Sequence, residues 1–370
     1  MTGIGIRQQS AHEFIGEVTY ENQAACPFYP GSAGCHRAQA AEIYNKDGSK
    51  LDLNGRAVGM YYGSDDQELR GDASYLRFGL KGETALGNNL TGLGEFEYNL
   101  PTAGSDEDEL RLGYAGIRHD SFGTLTYGRQ DGLMGMVNDY TDVLPEWGGD
   151  GLGKNTEVFG TGRTNGLLKY SFNYQGLTLG AQFTGKNDPQ NNDDSKWMLG
   201  SNEGYALGAS YDLPMGLSFA AAYNQAGKTH EQQTRANFGG DSDAKLTAGG
   251  LRYSANNWYA AATMSEGRDH YFIGNGYAEK NRGYEAVVQY TIAEKFVPSL
   301  AYVRSDVKDS SQNIDDSANE YLSIGASYKF TPNFQTYVDY KVNLLDENSF
   351  TKQYGINTDD VVAVAMRYDF

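Results

Sequence analysis

The chain has 370 residues and a formal net charge of −18, with 47 glycines, 28 tyrosines and only 8 prolines. This acidity argues against nucleic acid as a partner, because a protein that binds phosphates needs a basic surface. The longest uninterrupted apolar run, residues 361–366, has six residues, and a membrane-spanning helix needs roughly 20. A closed β-barrel is not excluded, since its strands need only alternate apolar and polar residues.

Residues 1–40 have no sustained periodicity, unlike the rest of the chain, where apolar and polar residues alternate. Residues 38–40, Ala-Gln-Ala, are similar to a signal-peptidase site, although no apolar stretch precedes them as in a secretory leader. We therefore expect residues 1–40 to be a non-barrel N-terminal extension, either a leader remnant or a segment added by cloning. The cysteines Cys26 and Cys35 lie here; their spacing permits a disulfide without predicting it, and a metal site that also uses His36 is the weaker alternative.

From Ala41 onward, apolar and polar residues alternate in one segment after another. In one of these segments Phe78 and Leu80 alternate with Arg77 and Lys81. Successive side chains along a strand point to opposite faces, so each segment predicts a strand with one apolar face. Sixteen segments have this pattern: residues 51–62, 74–84, 90–100, 109–116, 123–130, 168–172, 177–184, 204–213, 217–226, 244–255, 257–266, 283–292, 297–307, 319–330, 333–344 and 359–370.

The connections between the predicted strands are short in some places and long in others. A short one, residues 212–216, contrasts with long polar ones at 185–196 and 227–243. Short turns at one end and long loops at the other are typical of outer-membrane barrels. We therefore predict an all-β fold, a 16-stranded antiparallel transmembrane β-barrel over residues 41–370. The alternative, a soluble β-sandwich, accounts less well for the aromatic residues at strand ends and the mean hydropathy of −0.59.

One connection, from about residue 131 to residue 163, is long and has no clear strand pattern. It contains Pro145 and the glycines 148, 149 and 151, and most of its charged residues are acidic. A structureless stretch of about 30 residues within a compact fold is usually functional. This connection is therefore the first candidate for a functional segment.

Several long motifs of the chain resemble the general diffusion porins of the enterobacterial outer membrane, the OmpC/OmpF type. They are "AEIYNKDGSKLDLNG" at 41–55, "LRFGLKGET" at 76–84, "LPEWGGD" at 144–150, "GLLKYSF" at 166–172, and the terminal Phe370. The resemblance covers about residues 41–370. It implies a homotrimeric barrel in the outer membrane of a Gram-negative bacterium, surrounded by lipid and lipopolysaccharide, through which ions and small hydrophilic solutes diffuse without any cofactor. It also implies that the connection at 131–163 is an extracellular loop that folds inward and narrows the pore.

The same resemblance implies roles at the chain's closing strand. The last predicted strand closes the barrel near Ala41, and Tyr368 and Phe370 form the aromatic signal that the barrel-assembly machinery recognises. Independently, the alternation of residues 359–370 places Phe370 on the apolar face of a strand.

The family's pore constriction has an acidic side on the loop and a basic side on the wall. Carried over by motif, the acidic side is Asp142 and Glu146, and the basic side is Arg56, Arg77, Arg111 and Arg163. Strand alternation independently places Arg56, Arg77 and Arg111 on polar faces. We expect Glu97, Glu109, Asp131 and Asp150 to be further acids of the lumen or the loop. Opposed charges across a narrow pore would create a transverse field and set ion preference.

The sequence departs from the family pattern at several of these positions. Asp131, Gly135 and Met136 stand where the family usually carries bulkier residues, and Glu109 stands where a basic residue is frequent. These changes add negative charge or remove bulk. We therefore predict a pore at least as cation-preferring as its relatives.

Three other functions compete with that of a diffusion porin. An enzyme is disfavoured, because the barrel region has only His119, His230 and His270 and no G-x-S-x-G motif, so we predict no catalytic residue and no bound metal. A sugar-specific porin would need a ladder of aromatic residues along the lumen, whereas most tyrosines here fall on apolar faces or at strand ends. An adhesin or phage-receptor role would use the long loops in addition to diffusion.

Overall fold

The computed structural model describes residues 41–102, 109–152, 158–187 and 196–370. Residues 1–40, with Cys26, Cys35 and His36, lie outside the described residues. Within the described ranges no helix is long and apolar enough to cross a membrane. The helices are α1 (Gly135–Asn138), α2 (His230–Arg235) and α3 (Ser349–Tyr354).

Strands make up most of the described chain. They are β1 (Ala41–Lys46), β2 (Ser49–Ser64), β3 (Gly71–Asp72), β4 (Tyr75–Gly87), β5 (Leu90–Pro101), β6 (Glu109–His119), β7 (Gly123–Asp131), β8 (Arg163–Tyr174), β9 (Leu177–Thr184), β10 (Gly204–Asp212), β11 (Leu217–Ala226), β12 (Ala244–Ala255), β13 (Trp258–Arg268), β14 (Phe272–Ile273), β15 (Gly276–Tyr277), β16 (Lys280–Tyr290), β17 (Phe296–Asp309), β18 (Ile314–Thr331), β19 (Phe334–Asn343) and β20 (Val361–Asp369).

All of these strands except β1, β3, β14 and β15 form the barrel wall. Each wall strand pairs antiparallel with the next one along the chain. The last, β20, pairs with β2 from Arg56 opposite Asp369 to Ser64 opposite Val361. The predicted 16-stranded antiparallel barrel is therefore confirmed, and its closure leaves no wall strand with an open edge.

The barrel closes at a seam along one edge of β2. There β20 covers the upper part of the edge and β1 covers the remainder, where Ala41 lies opposite Leu53. Between the two, the amides of Gly55 and Phe370 each donate to the carbonyl of the other at 2.9 Å. The last strand therefore ends at Gly55, two residues along β2 from Leu53, the partner of Ala41.

The alternation in the sequence becomes two different surfaces of the wall. In β20, Val364 and Met366 are 56% and 58% exposed on the outside, whereas Ala363 and Ala365 are 0% and 3% exposed on the inside. An outer face of large apolar side chains matches the hydrocarbon of a bilayer.

Residues 132–152 and 158–162 of the connection between β7 and β8 lie inside the barrel, and we call these residues the inner loop. Its short helix α1 lies against β10, β11 and β12. Met134 and Val137 are fully buried there and pack on alanines of those strands, among them Ala222 and Ala248. Burial of this apolar face holds the first half of the loop to the wall.

Candidate pore constriction

Two buried carboxylates of the wall hold the second half of the inner loop. Glu285 of β16 accepts hydrogen bonds from the amides of Gly149 and Gly151 at 2.8 and 3.2 Å. Asp339 of β19 accepts from the amides of Glu146 and Trp147 at 3.1 and 3.4 Å. Gly148 and Gly149 have φ of 113° and 74°, a conformation that other residues rarely adopt, which explains the glycine pair at this turn.

Glu146, one of the two acids predicted for the constriction, is tied to the wall through its side chain. The Tyr62 hydroxyl donates to Oε1 at 2.5 Å, and the Tyr337 hydroxyl donates to Oε2 at 2.6 Å. The ring of Tyr62 also stacks on Trp147, with a centroid separation of 5.4 Å. The carboxylate is thus fixed in position by two strands, β2 and β19, that flank β20.

The other predicted loop acids also lie in the inner loop. Asp142 is 5% exposed just after α1, and its amide donates to the carbonyl of Asn138 at 3.1 Å. Asp150 accepts a hydrogen bond from the Tyr321 hydroxyl at 2.8 Å. Asp131 does not belong to the loop: it is the last residue of β7 and pairs with Arg163 across the strands.

The four predicted wall arginines are all nearly buried, with exposed fractions of 3–5%. Arg56 and Arg77 are directly opposite each other on β2 and β4. Arg56 Nε lies 3.7 Å from Asp369 Oδ1, and Arg77 Nε donates to Asn99 Oδ1 at 3.1 Å. These two cations therefore form one row across the seam side of the lumen.

Arg111 lies at a β-bulge. On β5 and β6, Glu97 is opposite Leu112 while Tyr98 is opposite Leu110, so Arg111 is the additional residue between them. A bulge redirects the side chain that it carries. Here Arg111 Nε donates to Glu97 Oε1 at 2.6 Å, which places the predicted acid Glu97 against a predicted wall cation.

Glu109 lies within ion-pair distance of three arginines. Its carboxylate oxygens are 3.9 Å from Arg111 Nη1, 3.8 Å from Arg163 Nη2 and 3.3 Å from Arg129 Nη2. Arg129 was not predicted from the sequence, where it stands two residues before the loop as an ordinary strand residue. It also donates to the carbonyls of Leu110 and Arg163, at 2.6 and 3.2 Å, and so joins β6 to β8.

The arginines and most of the loop attachments occupy different parts of the wall; the exception is Tyr62 of β2, which bonds Glu146. Arg56, Arg77, Arg111 and Arg163 come from β2, β4, β6 and β8. The inner loop packs on β10 to β12 and is bonded to β16 and β19. The structure therefore brings the arginines together on one arc of the lumen and seats most of the acidic loop on another, and Tyr62 of β2 joins the two.

Sequence reasoning missed the groups that hold the loop, Glu285, Asp339, Tyr62 and Tyr337. Strand alternation places all four on the lumen face, so their orientation could have been inferred. Their partners could not, because the hydrogen bonds of Glu285 and Asp339 reach residues 136 and 193 positions away.

Comparisons with known proteins agree with this architecture. The family model described as Gram-negative porin matches residues 46–370. Outer membrane protein F of Serratia marcescens is 38% identical over 370 residues, covering 92% of this chain and 97% of that protein. Outer membrane porin protein OmpD of Citrobacter koseri is 41% identical over 344 residues, covering 90% and 94%.

Solved structures of porins have a similar fold. OmpF of Salmonella typhi, in its complex with daunomycin, has a TM-score of 0.81 at 34% identity, and the match covers 89% of this chain and 100% of that one. An anion-selective porin from Comamonas acidovorans has a TM-score of 0.66 at 14% identity, covering 87% and 100%. At that identity the second likeness concerns the fold alone.

Proposed function

The chain belongs to the Gram-negative porins and is a diffusion channel of the outer membrane, and we propose that it works there as a homotrimer that prefers cations. Small hydrophilic solutes and ions pass through the lumen of each barrel. In the same proposal, lipopolysaccharide and lipid surround the trimer, the barrel-assembly machinery recognises Tyr368 and Phe370, and residues 1–40 are an extension outside the barrel.

The proposed constriction lies between the inner loop and the arc of arginines. Asp142 and Glu146 provide its acidic side, and Arg56, Arg77, Arg111 and Arg163 provide its basic side. Opposed charges across a narrow, water-filled gap produce a field perpendicular to the pore axis. Such a field orients dipolar solutes and slows apolar ones of similar size.

The preference for cations rests on how the arginine charge is compensated. Glu97 and Glu109 contact three of the wall arginines of β6 to β8, and Asp369 lies beside Arg56. The inner loop adds Asp142, Glu146 and Asp150, and the chain as a whole has a net charge of −18. Because an anion-selective porin also shares this fold, the fold alone does not set the sign of the preference, and we assign it to these side chains.

The single observation that carries the proposal is the contact of Glu109 with three arginines. An arginine paired with a carboxylate at 3.3–3.9 Å attracts a passing anion less than an uncompensated one does. The positive arc is thereby weakened, while Glu146 and Asp150 stay fixed by hydrogen bonds from tyrosines of the wall. The net field at the constriction then favours cations.

The test is the zero-current potential of the protein in a planar bilayer under a salt gradient. We expect conductance steps in groups of three and a potential of the sign given by cation preference. The double variant Asp142→Asn with Glu146→Gln should reduce that preference, whereas Asp315→Asn, an exposed surface charge, should leave it unchanged. Anion preference of the wild type, or an unchanged potential in the double variant, would contradict the assignment.

A further inference from the structure

At four glycines of the wall, an added β-carbon would meet atoms of the inner loop. These glycines are Gly180 on β9, Gly208 on β10, Gly250 on β12 and Gly283 on β16. None of the four has a positive φ, so backbone conformation does not require glycine at any of them. Glycine within a strand is unfavourable, and it often marks a close approach of another backbone.

The closest approach is at Gly283. A β-carbon on this residue would lie 1.3 Å from the carbonyl oxygen of Gly151, which is a backbone atom of the loop. Two residues along the same strand, Glu285 holds the amides of Gly149 and Gly151. The loop is thus drawn onto β16 by hydrogen bonds and can come this near only because Gly283 has no side chain.

The other three glycines face side chains of the loop. A β-carbon on Gly250 would lie 3.1 Å from the Tyr140 ring and 3.2 Å from Val137 Cγ1. It would also lie 3.1 Å from Thr263 Cγ2 on the neighbouring strand β13. On Gly180 and Gly208 it would lie 2.6 Å from Leu133 Cδ2 and 2.7 Å from Met136 Sδ. Leu133 and Met136 end in rotatable groups that can turn aside, whereas Val137 and Tyr140 belong to a packed cluster.

We propose that Gly283 and, more weakly, Gly250 are size-determining residues of the pore, because they set how far the inner loop stands from the wall. The inference rests on the proposed narrowing of the pore by this loop. Any side chain at Gly283 must move Gly151 by about 2 Å before ordinary contact distance is restored. The wall blocks movement outward, so the loop moves into the lumen, toward the arginines.

The test compares four alanine variants by single-channel conductance and by the rate at which graded sugars enter liposomes. Gly283→Ala should lower conductance about twofold and reduce the largest sugar admitted, since a pore's cross-section follows its lining radius. Gly250→Ala should have a smaller effect in the same direction, and Gly208→Ala almost none. The matched control is Gly249→Ala, one residue from Gly250 on the opposite face, where the new carbon lies 3.8 Å from the carbonyl of Ala220.

Two results would overturn the inference. One is a wild-type size limit in folded Gly283→Ala, and the other is a conductance above that of the wild type, which would mean that the loop is released rather than pushed inward. If Gly283→Ala does not fold, Gly250→Ala together with Val137→Ala provides the second test: removing the Val137 Cγ atoms should restore part of the size limit that Gly250→Ala lowers, since Tyr140 still contacts the new carbon. If the loop does not narrow the pore at all, the variant Asp142→Asn with Glu146→Gln will also leave the zero-current potential unchanged. That result would contradict the proposed function, whereas a changed potential together with a wild-type size limit in Gly283→Ala would contradict only this inference.

Discussion

The Tyr337 hydroxyl donates a 2.6 Å hydrogen bond to Glu146, so an acid of the proposed constriction is fixed by β19, the strand next to β20. Tyr62 bonds the other oxygen from the opposite side of β20. The position of the Glu146 charge and the position of the inner loop therefore depend on the same two hydrogen bonds. A substitution that leaves the loop's charge intact can still change permeation by releasing the loop.

Replacing Tyr337 by Phe should loosen the inner loop. The change leaves a buried carboxylate oxygen without one of its donors, which costs about 1–3 kcal/mol. We expect faster hydrogen exchange of residues 144–150 and noisier open-channel current. The matched control is Tyr340→Phe on the outer face of the same strand, where the hydroxyl bonds Asp360; equal exchange in the two variants would contradict the clamp.

Replacing Glu109 by Gln should shift selectivity toward anions. The substitution removes a carboxylate that lies within 3.9 Å of Arg111, Arg129 and Arg163 while keeping the side chain's shape. We expect a smaller zero-current potential, and a larger shift for Glu109→Lys. Asp315→Asn again serves as the control, and an unchanged ratio of cation to anion permeability would show that Glu109 does not compensate the wall.

The packing of the connection that contains residues 270–278 should weaken in acid because of His270. This residue follows β13, is fully buried beside Phe159 at a ring separation of 5.8 Å, and has the titratable neighbours Lys228, Asp269 and Tyr277. Burial, with a smaller contribution from the Lys228 charge, lowers the pKa of His270 to about 3. In the packed state the ring therefore stays neutral at pH values where an exposed histidine takes up a proton.

The sign of the effect follows from this lowered pKa. The stability of the loop packing is fully present above about pH 6.5 and is lost as the pH falls toward 3, by up to about 1.4 kcal/mol per pH unit. We expect hydrogen exchange of residues 270–278 to accelerate over that range in the wild type. His270→Phe should flatten the dependence, and a profile identical to the wild type would assign the acid sensitivity to other groups.

Replacing Gly55 by Ala should impair closure of the barrel. The new carbon would lie 2.5 Å from the carbonyl of Arg77 and 2.6 Å from the ring of Phe370, where β20 ends on β2. We expect a lower yield and a slower rate of folding into lipid vesicles, followed by the shift in gel mobility on heating. Gly59→Ala on the same face of β2, with nothing within 4 Å, should fold like the wild type.

Alternation predicted the wall well where the strand crosses lipid. The predicted strands at 217–226 and 244–255 coincide with β11 and β12. It predicted less where strands extend beyond the apolar zone: β18 begins at Ile314, not 319, because its polar start pairs with the polar end of β17 past a bulge. Pairing of backbone groups there needs no apolar face, so the sequence carries no signal for it.

The candidate site also has features that the sequence predicts and features that it does not. Motif and alternation located Arg56 and Arg77, whose neighbours on the strands are fixed by regular pairing. They could not foresee that a bulge at Arg111 would bring it onto Glu97, nor that Arg129 would share Glu109 with two other arginines. Both facts depend on the register between strands, which one residue of slippage changes.

The seam on β2 makes the order of folding matter. Residues 56–64 pair with 361–369, about 300 positions away, so this contact closes the longest loop in the wall and is expected to form late. Until it forms, the edges of β2 and β20 are unpaired and can capture strands of another chain. We therefore expect the yield of correctly folded protein to depend on how long the seam stays open, rather than on the stability of the closed barrel.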